Sequence, residues 1–265
     1  MKILCTGLTE KYSGKTTLSL SLINYLKERG DSVYGFKPKA GNNLWYHWEM
    51  VCKSLAEGTL YGKDVYKYYE VCEENIPISI LNPIHRLWIP ESQEAVWERL
   101  PNFLLDRVTV KKKQYILINT KCKIPIEEKY FHKLFQNSEF IKILTRKDLT
   151  KITPLYEKAD NRAYSYLSNN SDHIICESYA DVGLPWMELK DLDLVFVIKP
   201  FHIAIYEGER YLAASKVVSS ISIEQKTEEI IEPIKPLKTI KVPPFTGNVI
   251  EKLKNHISIY LTDLL

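Results

Sequence analysis

Met1-Lys2-Ile3-Leu4-Cys5-Thr6-Gly7 runs through Leu8-Thr9-Glu10-Lys11-Tyr12-Ser13 into Gly14-Lys15-Thr16-Thr17, and an apolar helical run follows as far as Gly30. A short apolar strand, a polar loop, Gly-Lys-Thr and a helix together make a phosphate-binding loop. Gly14 allows a tight turn where a Cβ would clash. The helix from Lys15 directs its unpaired N–H groups and positive dipole end at the loop. Lys15 is placed to reach terminal phosphates, and the Thr16 hydroxyl to ligate Mg²⁺. The usual G-x-x-x-x-G-K-[ST] spacing requires glycine at position 9, where Thr9 stands, and Gly7 lies two residues earlier. The loop is therefore a deviant form. A chance Gly-Lys-Thr with Lys15 solvated is the competing reading. Against it stand the buried-strand pattern ILCTG and the apolar helical face of Leu18, Leu20, Leu22, Ile23 and Leu26. Candidate nucleotide contacts are thus Thr9, Glu10, Lys11, Tyr12, Ser13, Gly14, Lys15, Thr16 and Thr17.

The chain has 265 residues, 45% of them hydrophobic, with 36 Lys and Arg against 33 Asp and Glu. That length and core capacity fit one large α/β domain or a domain with an insertion. The charge balance gives no strong polyanion signal, so Lys111-Lys112-Lys113 reads first as a solvated turn. No run of eighteen apolar residues predicts a membrane span. The N-terminus enters a strand without a signal-peptide pattern, so a cytoplasmic location is expected. Five cysteines (Cys5, Cys52, Cys72, Cys122 and Cys176) are scattered with no CxxC pair, as expected for buried thiols in a reducing compartment.

Asp31–Lys37 reads as a second strand, completing a βαβ unit with a right-handed crossover. Its end lies on the same sheet edge as the phosphate loop, so Lys37-Pro38-Lys39 is well placed for ligands. Residues 44–74 read as helical and rich in Tyr and Trp, followed by a segment punctuated by Pro77, Pro83 and Pro90. Residues 91–106 read as a helix and 108–120 as a strand pair turning at Lys111–Lys113. Further helical stretches cover 125–136 and 147–168. Apolar strands follow at 172–177 and 194–198. A hairpin is expected over 202–213 around Glu207-Gly208, then a short strand at 239–242 and a C-terminal helix from Val249. The expected architecture is α/β: a Rossmann-like P-loop NTPase with a mainly parallel sheet flanked by helices and a β-hairpin addition. It is read as a single domain over 1–265, with a helical insertion at about 44–106.

Three side chains are the candidate catalytic residues. Lys15 belongs to the loop. Glu177 ends an apolar strand, where a phosphate-loop enzyme needs a carboxylate to hold Mg²⁺ or its waters. Lys37, stiffened by Pro38, could neutralise a transferring phosphoryl group. Asp181 is a spare for Glu177. Thr16, Glu177 and Glu49 are the candidate metal ligands. Each of these carries an ordinary alternative, a solvated lysine or a polar strand end. The aromatic run Trp45-Tyr46-His47-Trp48 could stack on a flat ligand or cover a sheet edge.

GLTEKYSGKTT, GFKPKAG, LNPIHRLWIP and HIICESYADVGLP follow one another in the order seen in dethiobiotin synthetase, and the chain resembles that family over roughly residues 1–200. The family is itself similar to the Mrp/MinD-type ATPases. The resemblance implies a Rossmann-like sheet, ATP and Mg²⁺, and phosphorylation of a carboxylate or carbamate of a small-molecule substrate. It gives Lys15 and Thr16 the phosphates and Mg²⁺, Lys37 the transferring group and Glu177 the metal, and it sets Pro243 in a loop flanking adenine. The chain departs from the family where a glycine-rich run is replaced by Ser178-Tyr179-Ala180-Asp181, where Tyr12 stands in place of an acid, and where Gly41 stands in place of a serine. A substrate other than the biotin precursor is expected. The rival reading is a nucleotide switch that acts on a partner protein. The switch relatives carry a lysine at the position of Glu10, and Lys11, one place later, leaves a homodimer that supplies this lysine open. A nucleic-acid-directed kinase or ATPase is the third reading, and no recognised RNA- or DNA-binding motif supports it. ATP is expected over GTP, because Lys199-Pro200 ends its strand without an aspartate to read guanine.

Overall fold

A computed structural model describes residues 1–72, 76–90, 100–122, 126–219 and 225–265. The chain is an α/β protein with two mixed sheets flanked by helices. In chain order the strands are β1 (Lys2–Gly7), β2 (Val33–Phe36), β3 (Lys39–Asn43), β4 (Ile84–Trp88), β5 (Phe103–Val110), β6 (Lys113–Asn119), β7 (Ser138–Ile143), β8 (His173–Glu177), β9 (Leu194–Lys199), β10 (His202–Glu207) and β11 (Lys238–Lys241). They fall into two compact units. The first comprises Met1–Lys37, Glu70–Glu74 and Ser165–Leu265, and the second Pro38–Tyr69 and Asn75–Tyr164.

The first unit holds a six-stranded sheet in the order β11-β10-β9-β1-β8-β2. β9, β1, β8 and β2 are parallel; β10 runs antiparallel to β9, and β11 antiparallel to β10, so β10 alone runs against the other five. Ile3, Leu4, Cys5 and Ile174, Ile175, Cys176 are all buried, the near-continuous apolar pattern of strands covered on both faces. The helix Lys15–Glu28 joins β1 to β2 and skips one place in the sheet, which β8 fills. Gly30, at φ 90, ends it: Asp31 N–H donates to Leu26 O (3.2 Å) and Gly30 N–H to Lys27 O (2.9 Å), a Schellman pair. The helix Val249–Leu261 packs on Lys15–Glu28, and Ser21 Oγ donates to Ile250 O at 2.8 Å. Its N-cap Asn248 accepts from Glu251 N–H at 3.2 Å.

The second unit holds a five-stranded sheet in the order β3-β4-β5-β6-β7. Its outer pairs, β3 with β4 and β6 with β7, are parallel, and its inner pairs are antiparallel. Neighbouring residues of a strand face opposite ways. Ile116 accordingly joins one apolar cluster with Val51, Leu55, Phe131 and Leu134, while Leu117 joins another with Phe103, Ile143 and Ala159. Two arginines make dense hydrogen-bond sets in this unit, Arg86 half-buried and Arg107 fully buried. Arg86 grips Asp106 in a two-pronged pair at 2.7 and 2.6 Å, and Tyr156 OH donates to the same carboxylate at 2.5 Å. Arg107 is fully buried and donates to the carbonyls of Leu60, Pro83 and Asn82 and to the Thr109 hydroxyl.

Four expectations are corrected. Both sheets are mixed, where one mainly parallel sheet was expected. The helical insertion at 44–106 contains the helices Trp48–Ala56, Lys63–Val71 and Ile78–Leu81, but also β4 and the start of β5. Of the helix expected at 91–106, residues 91–99 lie outside the described residues and Phe103–Asp106 are strand. The hairpin does not turn at Glu207-Gly208. It joins β9 to β10 through Pro200-Phe201, with Phe201 at φ 66, and Gly208 opens the helix Gly208–Ser219. Gly208 is small for contact rather than for turning: a Cβ there would stand 1.9 Å from Leu192 O.

Candidate functional site

The loop from Leu8 to Gly14 connects β1 to the helix Lys15–Glu28. Leu8 N–H donates to Ile198 O at 3.1 Å, tying the start of the loop to the end of β9. Gly14 is the helix N-cap at φ 98, ψ 10, a left-handed conformation suited to glycine. Thr9, Glu10, Lys11 and Tyr12 are exposed, and Thr9 Oγ1 donates to Lys11 O at 3.0 Å. Tyr12 is 97% exposed and holds φ 59, a left-handed conformation that costs a bulky residue energy. Ser13 is buried and Thr17 half-buried.

Lys15 is buried rather than solvated. Its ammonium donates to Ser13 Oγ at 3.0 Å and to Ala180 O at 2.6 Å. Ala180, at φ 45, lies in the segment after Glu177. Ser178 anchors that segment, its N–H bonded to Cys5 O at 2.9 Å and its hydroxyl to Val182 O. Thr6 Oγ1 donates to the same carbonyl at 3.0 Å. Gly7, two residues away from the usual glycine position, matters sterically: a Cβ there would come within 2.5 Å of Ser13 Oγ and 3.0 Å of Lys15 Nζ. Gly7 and the Ala180 carbonyl are the site components that sequence reasoning missed. One acts by lacking a side chain and the other through its backbone, so neither carries a residue-type signal.

Glu177 ends β8, next to β1 in the sheet, and is 1% exposed. Thr16 Oγ1 donates to its Oε1 at 3.0 Å, and the Lys37 ammonium pairs with that same oxygen. Lys37 follows β2, which flanks β8 on the other side, so three neighbouring strand ends bring Lys15, Thr16, Lys37 and Glu177 together. Asp181 does not join them: it pairs with Lys226 at 3.0 Å, and its carbonyl accepts from Thr227. Pro243 is exposed just after β11, where Val242 N–H donates to Phe201 O at 2.9 Å. Glu49 belongs to the second unit, exposed in the first turn of Trp48–Ala56. In that unit Asn43 Oδ1 accepts from the N–H groups of Trp45 and Tyr46, whose rings stand exposed.

A hydroxyl and a carboxylate at 3.0 Å are hard oxygen donors of the kind Mg²⁺ takes, with waters and substrate phosphates completing its shell. Among the described residues no group of three or more His, Cys, Asp or Glu side chains could form an all-protein cage. Cys5, on β1, is fully buried, and burial pushes its thiol up to about 12, which disfavours the thiolate a nucleophile needs. No model of a known protein family matches the chain, and no curated protein matches it.

Proposed function

We propose that the first unit is a Rossmann-like P-loop domain that binds ATP with Mg²⁺ and activates a carboxylate-like group of a small molecule by phosphoryl transfer. The observation that carries this reading is the convergence of Thr16 and Lys37 on one oxygen of Glu177, beside a left-handed Gly14 and an inward-turned Lys15. The first-turn N–H groups of Lys15–Glu28 have no acceptor within their helix and suit phosphate oxygens. Lys15 supplies a point charge to the phosphates, and Thr16 and Glu177 would hold the metal. Mg²⁺ would neutralise charge on the phosphates while its geometry orders them. Lys37 stabilises charge that develops on the transferring group. Pro243 is assigned to the rim around the base.

A nucleotide switch is the second reading, favoured by Lys11 and Tyr12, which are exposed at the tip of the loop. In such a protein these two side chains would meet a partner protein or a second copy of the chain.

Calorimetry tests the nucleotide assignment. ATP with Mg²⁺ is expected to bind more tightly than GTP, and Lys15→Ala to abolish binding while the far-UV spectrum stays unchanged. Wild-type affinity in Lys15→Ala would refute the loop assignment. Single-turnover hydrolysis separates the two readings. Lys37→Ala should lose on the order of 10²-fold or more in rate if Lys37 serves phosphoryl transfer, and almost nothing if the protein is a switch.

A further inference from the structure

Glu177 is buried, and two donors share its Oε1: the Thr16 hydroxyl and the Lys37 ammonium. The Lys37 side chain is only 9% exposed, so solvent screens this ion pair little. A divalent cation ligated by that oxygen needs the place the ammonium holds, and two cations crowded on one buried oxygen repel strongly. If Lys37 left with nothing to replace it, the buried Glu177 carboxylate would lose its ion pair, which is costly. An exchange of one cation for another avoids both penalties.

We propose that Lys37 is a resident counter-ion that holds the metal's place on Glu177 and is released when the divalent ion arrives. The site is thereby gated: Lys37 becomes available to the transferring phosphoryl group only once the metal is seated. The proposal rests on the Mg²⁺ part of the reading above. Lysine suits the role, being a compact charge on a flexible four-carbon stem. Pro38 fixes the backbone next to it, so the movement falls to the side chain. Order follows from this arrangement, because nucleotide arriving without metal would find Lys37 still paired to Glu177.

The test uses the full chain, without nucleotide, and Mn²⁺ as the probe, with free Mn²⁺ read by electron paramagnetic resonance. Lys37→Met removes the competing cation and is expected to tighten Mn²⁺ binding at least tenfold over wild type. Equal or weaker binding overturns the proposal. Should Lys37→Met fail to fold, acetylation of wild-type Lys37 by an N-hydroxysuccinimide ester, read by peptide mass spectrometry, replaces it. Saturating Mn²⁺ should raise modification of Lys37 several-fold, and unchanged modification overturns the proposal. ATP binding in the presence of Mg²⁺ is measured in parallel. Loss of ATP binding with the Mn²⁺ effect intact would sink the nucleotide reading alone. ATP binding with no Mn²⁺ effect would sink the counter-ion role alone.

Discussion

Asp160, in the helix Arg146–Asn169, is fully buried, and neither of its carboxylate oxygens has a hydrogen-bond partner among the described residues. Burial pushes its carboxyl up to about 8, the charge of Lys39 opposing and that of Glu157 adding to the rise. The unfolded chain releases this proton near the ordinary carboxylate value and the folded one only near pH 8. Stability from this group is therefore full below about pH 4 and falls as the pH climbs from there to about 8. Asp160→Asn keeps the shape and removes the titration. In urea melts the variant should gain on the order of 3–5 kcal/mol over wild type at pH 8 and much less at pH 5. Parallel pH profiles for the two proteins would contradict this. Asp160 drew no attention in the sequence, since an acid within a polar helical stretch reads as solvated and only tertiary packing buries it. Lys15, Lys37 and Glu177 were legible because each stands at a strand end or helix start that local pattern alone locates.

Gly30 and Gly208 both border helices, and the structure assigns them different work. Gly30 takes φ 90 with open space around it, so its cost on substitution is conformational. Gly208 lies against the Leu192 carbonyl, and its cost is a collision with backbone. Gly30→Ala is expected to lose about 1–2 kcal/mol, and Gly208→Ala more than about 3 kcal/mol. Guanidinium unfolding of the two variants measures both, and equal losses would refute the distinction. The same contrast explains the misread hairpin, because a glycine after an alternating run signals a turn whether it is needed for φ or for proximity. In the second sheet the β5–β6 pair was legible, but β3, β4 and β7 were hidden for other reasons. β3 is Lys-Ala-Gly-Asn-Asn, with almost no β-forming residues, and β4 lies between Pro83 and Pro90. β7 is an edge strand whose exposed Glu139 and Phe140 break any clean alternation. β1, β8 and β9 were readable because strands covered on both faces become apolar runs.

For the whole molecule, two compact units imply that unfolding need not be a single cooperative step. ATP at a hundred times its dissociation constant should add about 2.7 kcal/mol to whatever it binds. Hydrogen exchange should place that gain at amides of residues 13–18 and 174–178, with those of β5 and β6 unchanged; uniform protection along the chain would argue against a site in the first unit. The βαβ start of this unit was plain from the first forty residues, whereas in the second unit's sheet only the β5–β6 pair, joined across Lys111-Lys112, is local, and the remaining pairings lie beyond any short window. The strand order also governs how the molecule comes into being on the ribosome. β1 finds its two neighbours only in β8 and β9, Leu4 pairing with Cys176 and Val195, and the whole second unit is translated in between. At about 5–20 residues per second, the apolar strand β1 waits on the order of ten seconds or more for a partner. Through that interval the unpaired β1 is a natural client for chaperones, and codon choice across residues 40–170 becomes a lever on the yield of native protein.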